Sequence, residues 1–336
     1  MTRGGVNGGV NGGADWGANG GRRFYLGIDG GGTRAEALVG DAELNVLGRG
    51  LGGPCNYHAV GLDRAVHSLS GAVEGALEAA DVPPEQLRGA FAGIAGVDRP
   101  ADASALQAPL ERLLPGVPVE VDNDGIVALA GATGGEHGVA IISGTGSIAL
   151  GIDAAGRRGR AGGWGYIIGD EGGGYDIGRR ALAAVARATD GRGPATALTA
   201  ALLGHLGLQF PGDLYRRLYI DGLERHEIAA LVPVVAAAAR DGDDVACRLL
   251  AAAARELACA AVTVIRDLNL GDAAFPVALC GGAFAAGAPL VRPLWRHIRR
   301  AAPAAYLVEA RHPPSFGALI LARRRHDGQV GKGAAP

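Results

Sequence analysis

Features that would place this chain in several common classes of protein are scarce in its sequence or missing from it. Its four cysteines, Cys55, Cys247, Cys259 and Cys280, include no CxxC pair and no zinc spacing, so we predict free, buried thiols in a reducing cytoplasm. The net charge is −2 and no basic block is present, which excludes an extended nucleic-acid surface. No apolar run is long enough to span a bilayer. We therefore expect a cytoplasmic protein with no nucleic-acid or membrane partner.

Length and composition set the scale of the fold. The chain has 336 residues, 48% of them apolar and 20% charged, which is enough for two packed domains or for one domain with a deep cleft. Glycine is abundant, with 58 residues, and part of it lies at the start of the chain. Residues 1–22 form a Gly/Asn-rich leader without the apolar centre of a signal peptide, and we predict that this leader is disordered.

The hydrophobic pattern predicts the same plan in both halves of the chain: a strand, a glycine turn, a second strand, a further strand and then helices. Two such halves would place their glycine turns face to face across a cleft. In the first half we predict strands at 24–29, 35–41, 44–50, 87–96 and 117–124, and helices at 62–80, at 101–114 and from about 125. In the second half we predict strands on both sides of a turn within 137–151, near 157–163 and at 275–284. We predict helices at 175–188, through most of the chain from there to 269, after the strand at 275–284 as far as 300, and at 316–325.

The first glycine turn, in the stretch YLGIDGGGTR from Tyr25 to Arg34, is predicted to be a β-hairpin. An alternating apolar pattern with a turn near residues 41–43 follows Gly32, whereas a dinucleotide fingerprint requires a helix there. No strand is followed by a GxxxxGK[ST] motif. Consecutive amides in such a hairpin bind anions, and Thr33 adds a hydroxyl donor. Asp29 would repel a phosphate unless a divalent cation lies between them, so it indicates Mg²⁺ held largely through water.

The first turn alone could be an ordinary glycine-rich hairpin. A second turn of the same kind favours nucleotide binding over that alternative. The stretch ISGTGS, residues 142–147, lies between two apolar runs and offers backbone amides and the hydroxyls of Ser143, Thr145 and Ser147. A third glycine pair, Gly281-Gly282, ends a strand and precedes a helix, which suits close passage over the sugar or base of a nucleotide.

These motifs resemble those of a known superfamily. DGGGT in the first half, ISGTGS in the second and CGGAF near the end are similar to motifs of the sugar kinase/Hsp70/actin superfamily. Within it, the stretch GGWGYIIGDEGGGYDIGRRAL, from Gly162 to Leu182, resembles the BadF/BadG/BcrA/BcrD ATPase family and its N-acetylglucosamine kinases. The resemblance implies a two-lobed α/β, actin-like (ribonuclease H-like) ATPase fold with the active site in the cleft. It implies an N-terminal lobe at 23–125, completed by a C-terminal helix at 314–326, and a C-terminal lobe at 126–313.

The resemblance also implies roles for individual residues. Asp124 falls where the family keeps its catalytic base; Asp122 is the neighbouring candidate, and the alternative for Asp124 is that it only caps the following helix. Asn56, Asp124, Thr145, Trp164, Gly165 and Asp170 would bind the sugar. Asp29 would bind Mg²⁺. The residues that would bind ATP lie in the three glycine segments: Gly30, Gly31, Gly32, Thr33, Gly144, Thr145, Gly146, Ser147, Gly281 and Gly282.

The function that the resemblance implies is ATP- and Mg²⁺-dependent phosphorylation of N-acetylglucosamine at O6, by a homodimer. Glucosamine and N-acetylmuramate stay open as substrates, because no motif identifies the group on C2 of the sugar. The alternatives are an ATPase activator of a dehydratase or reductase, which would need an iron–sulfur cluster, a sugar-binding repressor, which would need a helix-turn-helix arm, and a silent binding module. Arg34 has no assigned role beyond a surface salt bridge.

Overall fold

The protein is described here by a computed structural model that covers residues 23–327. The predicted disorder of the leader at 1–22 falls outside these residues. The first half contributes strands β1 (Phe24–Gly30), β2 (Ala35–Asp41), β3 (Val46–Gly52), β4 (Leu87–Ile94) and β5 (Val119–Asn123). The second half contributes strands β6 (Gly138–Ser143), β7 (Ser147–Ile152), β8 (Arg158–Gly162), β9 (Pro276–Cys280) and β10 (Tyr306–Val308).

Helices connect and cover these strands. In the first half they are α1 (Tyr57–Val60), α2 (Leu62–Ala80), α3 (Pro100–Leu113) and α4 (Asp124–Thr133). In the second half they are α5 (Gly174–Thr189), α6 (Leu198–Leu206), α7 (Asp213–Tyr219), α8 (Arg225–Ala229), α9 (Val232–Arg240), α10 (Asp244–Asp267), α11 (Ala288–Ala301) and α12 (Pro314–Asp327). Among residues 23–327, no helix combines the length and the apolar character needed to cross a membrane.

The two sheets have the same topology, which confirms the repeated plan. The strand order is β3-β2-β1-β4-β5 in the first sheet and β8-β7-β6-β9-β10 in the second. In each sheet the first three strands of that half of the chain pair with one another in antiparallel fashion. The last two strands of the half join the sheet in parallel pairing. Each glycine turn therefore joins the two equivalent strands of its half, β1 to β2 and β6 to β7.

Strand β3 begins later than the sequence predicts. We expected a strand at 44–50, and it spans Val46–Gly52. The carboxylate of Asp41 accepts hydrogen bonds from the backbone amides of Glu43 (3.0 Å) and Asn45 (2.8 Å), and Leu44 has a φ of 65°, in the left-handed region. This side-chain-stabilised turn occupies the residues that an extended strand would need.

Strand β9 also differs from the prediction, because it is shorter. It stops at Cys280, since Gly281 has a φ of 104° and a 3₁₀ turn follows at Gly282–Ala286. A positive φ breaks the extended conformation and favours glycine at that position. The predicted strand at 275–284 thus covers a strand, a glycine corner and a short turn.

Helices α4 and α12 pack against each other between the two sheets. A Cβ atom on Gly317 would lie 2.0 Å from the carbonyl oxygen of Val127, and one on Gly131 would lie 2.6 Å from that of Pro313. The helices can approach this closely only because both positions are glycine. A separate apolar cluster that includes Tyr25 and Phe91 fills this region, between the larger cores of the two halves.

Candidate active site

The first glycine turn is the predicted β-hairpin. The amide of Gly31 donates to the carbonyl oxygen of Arg34 over 2.8 Å, and Gly30 pairs with Ala35 across the hairpin. A Cβ atom on Gly32 would have no heavy atom within 4 Å. The backbone of this turn is thus open on one side, next to the exposed Thr33. This geometry fits the predicted binding of an anion by Gly30, Gly31, Gly32 and Thr33.

Asp29 lies just before this turn, opposite Glu36 on β2. Burial raises the pKa of Asp29 to about 7, and the nearby carboxylates of Asp124 and Glu36 add to the effect, while Arg34 opposes it. A bound cation stabilises the ionised form of a carboxylate that is buried close to other carboxylates. Within residues 23–327, no group of three or more His, Cys, Asp or Glu side chains could hold a metal ion. A cation at Asp29 would therefore depend on other ligands, such as water and phosphate oxygens.

The second glycine turn, Gly144–Gly146, supports the start of helix α5. The carbonyl oxygens of Gly144 and Thr145 accept hydrogen bonds from the amides of Gly174 (2.7 Å) and Tyr175 (3.0 Å). A Cβ atom on Gly144 would have no heavy atom within 4 Å, so this turn too is open on one side.

The serines that flank this turn use their hydroxyls inside the protein. Ser143 Oγ donates to the carbonyl oxygen of Gly172 over 2.9 Å, and Ser147 Oγ donates to that of Glu171 over 2.7 Å. Both hydroxyls were expected to face a nucleotide, and instead they hold the segment around Asp170 onto the turn. That Ser147 contacts a nucleotide stays a prediction, and it now rests only on the position of Ser147 at the end of the glycine turn.

Asp170 occupies a strained position next to the second turn. Its φ is 59°, in the left-handed region, which is uncommon for a residue other than glycine. Its carboxylate accepts a hydrogen bond from the amide of Gly165 over 3.3 Å. A Cβ atom on Gly146 would lie 2.3 Å from Oδ2 of Asp170, so Gly146 permits this approach. Burial raises the pKa of Asp170, and the charges of Glu171 and Asp98 act in the same direction.

Trp164 and Gly165 line a cavity of about 490 Å³. The cavity is also lined by Gly96, which follows β4, and by several charged side chains: His58, Asp98, Arg99, Asp102 and Arg160. Trp164 is 68% exposed, and a Cβ atom on Gly165, whose φ is 84°, would have no heavy atom within 4 Å. An exposed indole beside open backbone leaves room for a ligand of the size of a sugar.

Asn56 has a buried oxygen without a hydrogen-bond partner. Its Oδ1 is one of two such side-chain atoms in the part of the chain that the structure describes. Asn56 is at the N-cap position of α1, yet its side chain makes no capping hydrogen bond. A buried acceptor that lacks a donor is costly and calls for an explanation. A ligand hydroxyl or amide that donates to Oδ1 would supply one, in agreement with the predicted sugar contact of Asn56.

Asp124 is the first residue of α4. The N-cap is Asn123, whose Oδ1 accepts a hydrogen bond from the amide of Gly125 over 2.8 Å, so the alternative that Asp124 caps the helix is wrong. Burial raises the pKa of Asp124 to about 6, and the charge of Asp98 contributes. Asp122, the neighbouring candidate base, instead forms an ion pair with Arg158. A carboxylate with a pKa near 6 can accept a proton near neutral pH.

The third glycine segment lies at the end of β9. A Cβ atom on Gly281 would lie 2.4 Å from the carbonyl oxygen of Ser143, which places Gly281 against the end of β6. A Cβ atom on Gly282 would have no heavy atom within 4 Å. Cys280 precedes this pair, and burial together with the charge of Asp124 raises the pKa of its thiol to about 11. The segment therefore lies close to the candidate base.

Electrostatic interactions connect the three acidic residues of the predicted site. The charge of Asp124 raises the pKa of Asp29 and that of Cys280, and the charge of Asp98 raises the pKa of Asp124 and that of Asp170. The candidate metal ligand Asp29 and the candidate base Asp124 are thus within electrostatic range of each other, and Asp98 connects Asp124 with the candidate sugar ligand Asp170. That the two glycine turns face each other across a cleft stays a prediction.

Two residues of the site, Asp98 and Asp102, are missing from the sequence-based set. Asp102, the third residue of α3, accepts hydrogen bonds from the amides of Asp98 (3.1 Å) and Arg99 (2.9 Å) and from the hydroxyl of Tyr57 (2.5 Å). It thereby fastens the segment after Asn56 to the loop after β4. An acidic residue at the third helical position after a proline start is a recognisable capping signal, and the stretch DRPAD contains it.

Two smaller predictions need correction. Arg34 was expected to form a surface salt bridge; within residues 23–327 it forms no ion pair, and it acts on Asp29 only through its charge. The four cysteines are free, as expected, but only Cys55 is buried and Cys280 is half-buried. Cys247 and Cys259 are exposed because they lie on the outer side of α10, whose other side packs into the core.

Comparisons with known proteins give a family match and curated relatives over most of the chain. The family model of the BadF/BadG/BcrA/BcrD ATPases matches residues 26–322. The chain is 33% identical over 305 residues to an N-acetylmuramic acid/N-acetylglucosamine kinase of Clostridium acetobutylicum, covering 91% of this chain and 100% of that protein. It is 34% identical over 312 residues to an N-acetyl-D-glucosamine kinase of Dictyostelium discoideum, covering 90% of this chain and 98% of that protein.

A solved structure confirms the predicted fold class. The structure of a candidate N-acetylglucosamine kinase from Chromobacterium violaceum matches this chain with a TM-score of 0.72 and 29% identity, and the match covers 89% of this chain and 99% of that one. The two duplicated sheets are therefore the halves of a two-lobed α/β fold.

Proposed function

This chain belongs to the BadF/BadG/BcrA/BcrD ATPase family, and we propose that it is a kinase that transfers the γ-phosphoryl group of ATP to O6 of N-acetylglucosamine. The relatives named as kinases of N-acetylated amino sugars, and their match over nine-tenths of the chain, support a sugar kinase. The choice of O6 and of Asp124 as the general base is our proposal.

The observation that carries the proposal is the electrostatic contact between Asp29 and Asp124. Asp29 is on β1 just before the first glycine turn, and Asp124 begins α4, so two carboxylates from different elements lie within electrostatic range of each other where water is scarce. Phosphoryl transfer to a hydroxyl needs a cation near the phosphates and a base near the hydroxyl. These two side chains would supply the two functions within one site.

Asp124 would accept the proton of the 6-hydroxyl as its oxygen attacks the γ-phosphorus. Its pKa of about 6 leaves it ionised near neutral pH while keeping it a stronger base than an exposed aspartate. Its position at the N-terminus of α4, fixed by the Asn123 cap, holds the carboxylate in one place. This arrangement suits a general base.

The backbone of the glycine segments offers space for ATP. At Gly32, Gly144 and Gly282 a Cβ atom would enter open space, so each backbone is accessible to a ligand from that side. The amides of the two hairpin turns would donate to phosphate oxygens. Mg²⁺, when bound, would neutralise charge on the transferred phosphoryl group. Asp29 would hold it, largely through water.

The sugar would lie between Asn56, Trp164 and Asp170. Asn56 Oδ1 needs a donor, the Trp164 indole offers an apolar face, and the Asp170 carboxylate lies against the amide of Gly165. A donor on the sugar, such as a hydroxyl, would satisfy the asparagine. We also keep as proposals the lobe boundaries given above, the homodimer and the cytoplasmic location.

The experiment is a coupled assay of ADP release with N-acetylglucosamine, glucosamine, N-acetylmuramate and glucose, followed by NMR of the product to locate the phosphate. We expect sugar-stimulated release and a phosphate on O6. Asp124→Asn should reduce turnover by about 10²–10⁴-fold. Asp122→Asn, a matched carboxylate two residues away that is already paired with Arg158, is the control. ADP release that no sugar stimulates would refute the kinase, and bound iron would then favour the activator alternative.

A second candidate substrate, N-acetylmuramate, is favoured by the charges around the cavity. Two of the three basic side chains that line it, His58 and Arg160, pair with carboxylates that also line it, whereas Arg99 is exposed and forms no ion pair among the described residues. N-acetylmuramate carries a carboxylate that N-acetylglucosamine lacks, and a guanidinium binds carboxylates well. Arg99→Gln should then lower kcat/KM for N-acetylmuramate alone; an equal effect on both sugars would exclude this role.

A further inference from the structure

Arg160 of the second sheet reaches a loop of the first sheet at the candidate site. Arg160 is on β8, and its Nη1 lies 3.2 Å from Oδ1 of Asp98 and donates to the Asp98 carbonyl oxygen, also over 3.2 Å. Asp98 belongs to the loop that follows β4. The contact therefore joins the two halves of the molecule beside the cavity that Trp164 and Gly165 line.

Asp98 is in turn connected to the start of α4. Asn123 donates from Nδ2 to Oδ1 of Asp98 (3.1 Å) and to the carbonyl oxygen of Val97 (3.2 Å). Oδ1 of the same side chain accepts a hydrogen bond from the amide of Gly125 and so caps the helix whose first residue is Asp124. One asparagine side chain thus connects the Asp98 loop to the backbone on both sides of Asp124.

We propose that Asp98 is a positioning residue for Asp124, and that the chain Arg160–Asp98–Asn123 couples the approach of the second half of the molecule to the placement of the base. The inference rests on the proposed function, in which Asp124 is the general base. Asp98 acts through Asn123 and is not itself the base, because its carboxylate is already bound by Arg160 and Asn123.

The strength of these contacts suits a connection that forms and breaks during turnover. The side chains of Arg160 and Asp98 are 39% and 34% exposed. An ion pair with this exposure contributes little to stability, so it can open without unfolding either half. Asn123 is less exposed and makes three hydrogen bonds, so it is the firmer part of the chain. When the Arg160 contact is made, the Asp98 loop is held against the cap of α4.

A second inter-sheet ion pair provides a matched control. Arg158 lies two residues before Arg160 on the same strand and pairs with Asp122 at the end of β5. Asp122 does not bond to the side chain of Asn123; its contact there is with the backbone amide of that residue. Loss of the Arg158 pair therefore removes a similar contact between the same two sheets and leaves the Asp98–Asn123 link in place.

The test compares Asp98→Ala, Asp98→Asn, Arg160→Gln and Arg158→Gln in the steady-state kinase assay with the preferred sugar. Asp98→Ala should lower kcat by about 10–100-fold, because a base displaced by about 1 Å loses that much rate. The KM for ATP should stay within about threefold, since the nucleotide contacts are elsewhere. Asp98→Asn keeps an acceptor for Asn123 and should restore most of kcat.

The remaining variants separate positioning from general stability. Arg160→Gln should lower kcat less than Asp98→Ala, and Arg158→Gln should stay within about twofold of the wild type. Hydrogen exchange of the amides at the start of α4, measured without substrate, should be faster in Asp98→Ala and unchanged in Arg158→Gln.

Two results would overturn the inference while the kinase stands: a kcat of Asp98→Ala within twofold of the active wild type, or an Asp98→Asn variant as slow as Asp98→Ala. A wild-type protein that no sugar stimulates would instead overturn the proposed function, and the base-positioning role of Asp98 with it. Unchanged exchange at the start of α4 in Asp98→Ala would refute the structural link independently of any activity.

Discussion

The buried Oδ1 of Asn56 lies 2.8 Å from the place that a Cβ atom on Gly96 would occupy. Gly96 has a φ of 85° and lines the cavity, and Asn56 is the N-cap of α1, which contains the cavity-lining His58. The absence of a side chain at Gly96 therefore leaves Asn56 in its present position, with its acceptor free for a ligand.

Gly96→Ala should weaken sugar binding, because the new methyl group would displace the Asn56 amide. We expect the KM for the sugar to rise about tenfold, which corresponds to the loss of one hydrogen bond to a neutral group. Gly116→Ala is the matched control: Gly116 has a φ of 80°, but nothing lies within 4 Å of its Cβ position. Both variants should lose similar stability from backbone strain. Equal sugar KM values for the two variants would contradict the role of Asn56.

The turnover number should depend on pH through Asp124. A general base must be ionised, so kcat should fall below about pH 6, the raised pKa of Asp124, by about tenfold per pH unit, and should level off above it. Asp122→Asn should keep the same profile because Asp122 is not the base. A kcat that does not change between about pH 5 and 7 would contradict this role.

Local patterns predict the two hairpins well, and contacts distant in sequence escape them. The turns after Asp29 and after Ser143 are visible because glycines interrupt alternating strands within a few residues. The role of Asp98, by contrast, depends on Arg160, 62 residues away, and that of Asp102 depends on Tyr57, 45 residues away. The local sequence pattern does not indicate which charged residues form contacts with each other in the folded protein.

The same limit applies to capping and to exposure. The sequence predicts a helix from about residue 125 and suggests only Asp124 as its possible cap. The hydrogen bond from the Gly125 amide to Oδ1 of Asn123 shows that Asn123 is the cap. The exposed positions of Cys247 and Cys259 follow from the packing of α10, which a cysteine count cannot report.

Asp29→Asn should stabilise the free protein at alkaline pH. The pKa of Asp29 is raised to about 7, so the folded state binds a proton that the unfolded state has released, between about pH 4 and 7. The contribution of this group to the free energy of unfolding is therefore favourable at low pH and is lost as pH rises through about 7. Near pH 8 the variant should be more stable by an amount on the order of 2–4 kcal/mol, and the gain should vanish below about pH 4.

Thermal unfolding without nucleotide or Mg²⁺, followed at several pH values, measures this effect. Glu74→Gln is the control, since Glu74 is an exposed carboxylate in the middle of α2. A melting temperature of Asp29→Asn that is equal to or below that of the wild type near pH 8 would contradict the prediction. The variant should also lose turnover, because Asp29 is the proposed Mg²⁺ ligand.

Sugar binding should be visible in the fluorescence of Trp164. This side chain is 68% exposed, so its indole is in contact with water when the cavity is empty of sugar. A sugar that stacks on it would remove that water, shift the emission to shorter wavelength and give a binding curve. Trp295 packs against the core of the second half and should not respond, so Trp295→Phe should keep the shift and Trp164→Phe should lose it. Trp164→Phe should also raise the sugar KM several-fold; an unchanged shift in Trp164→Phe would place the sugar elsewhere.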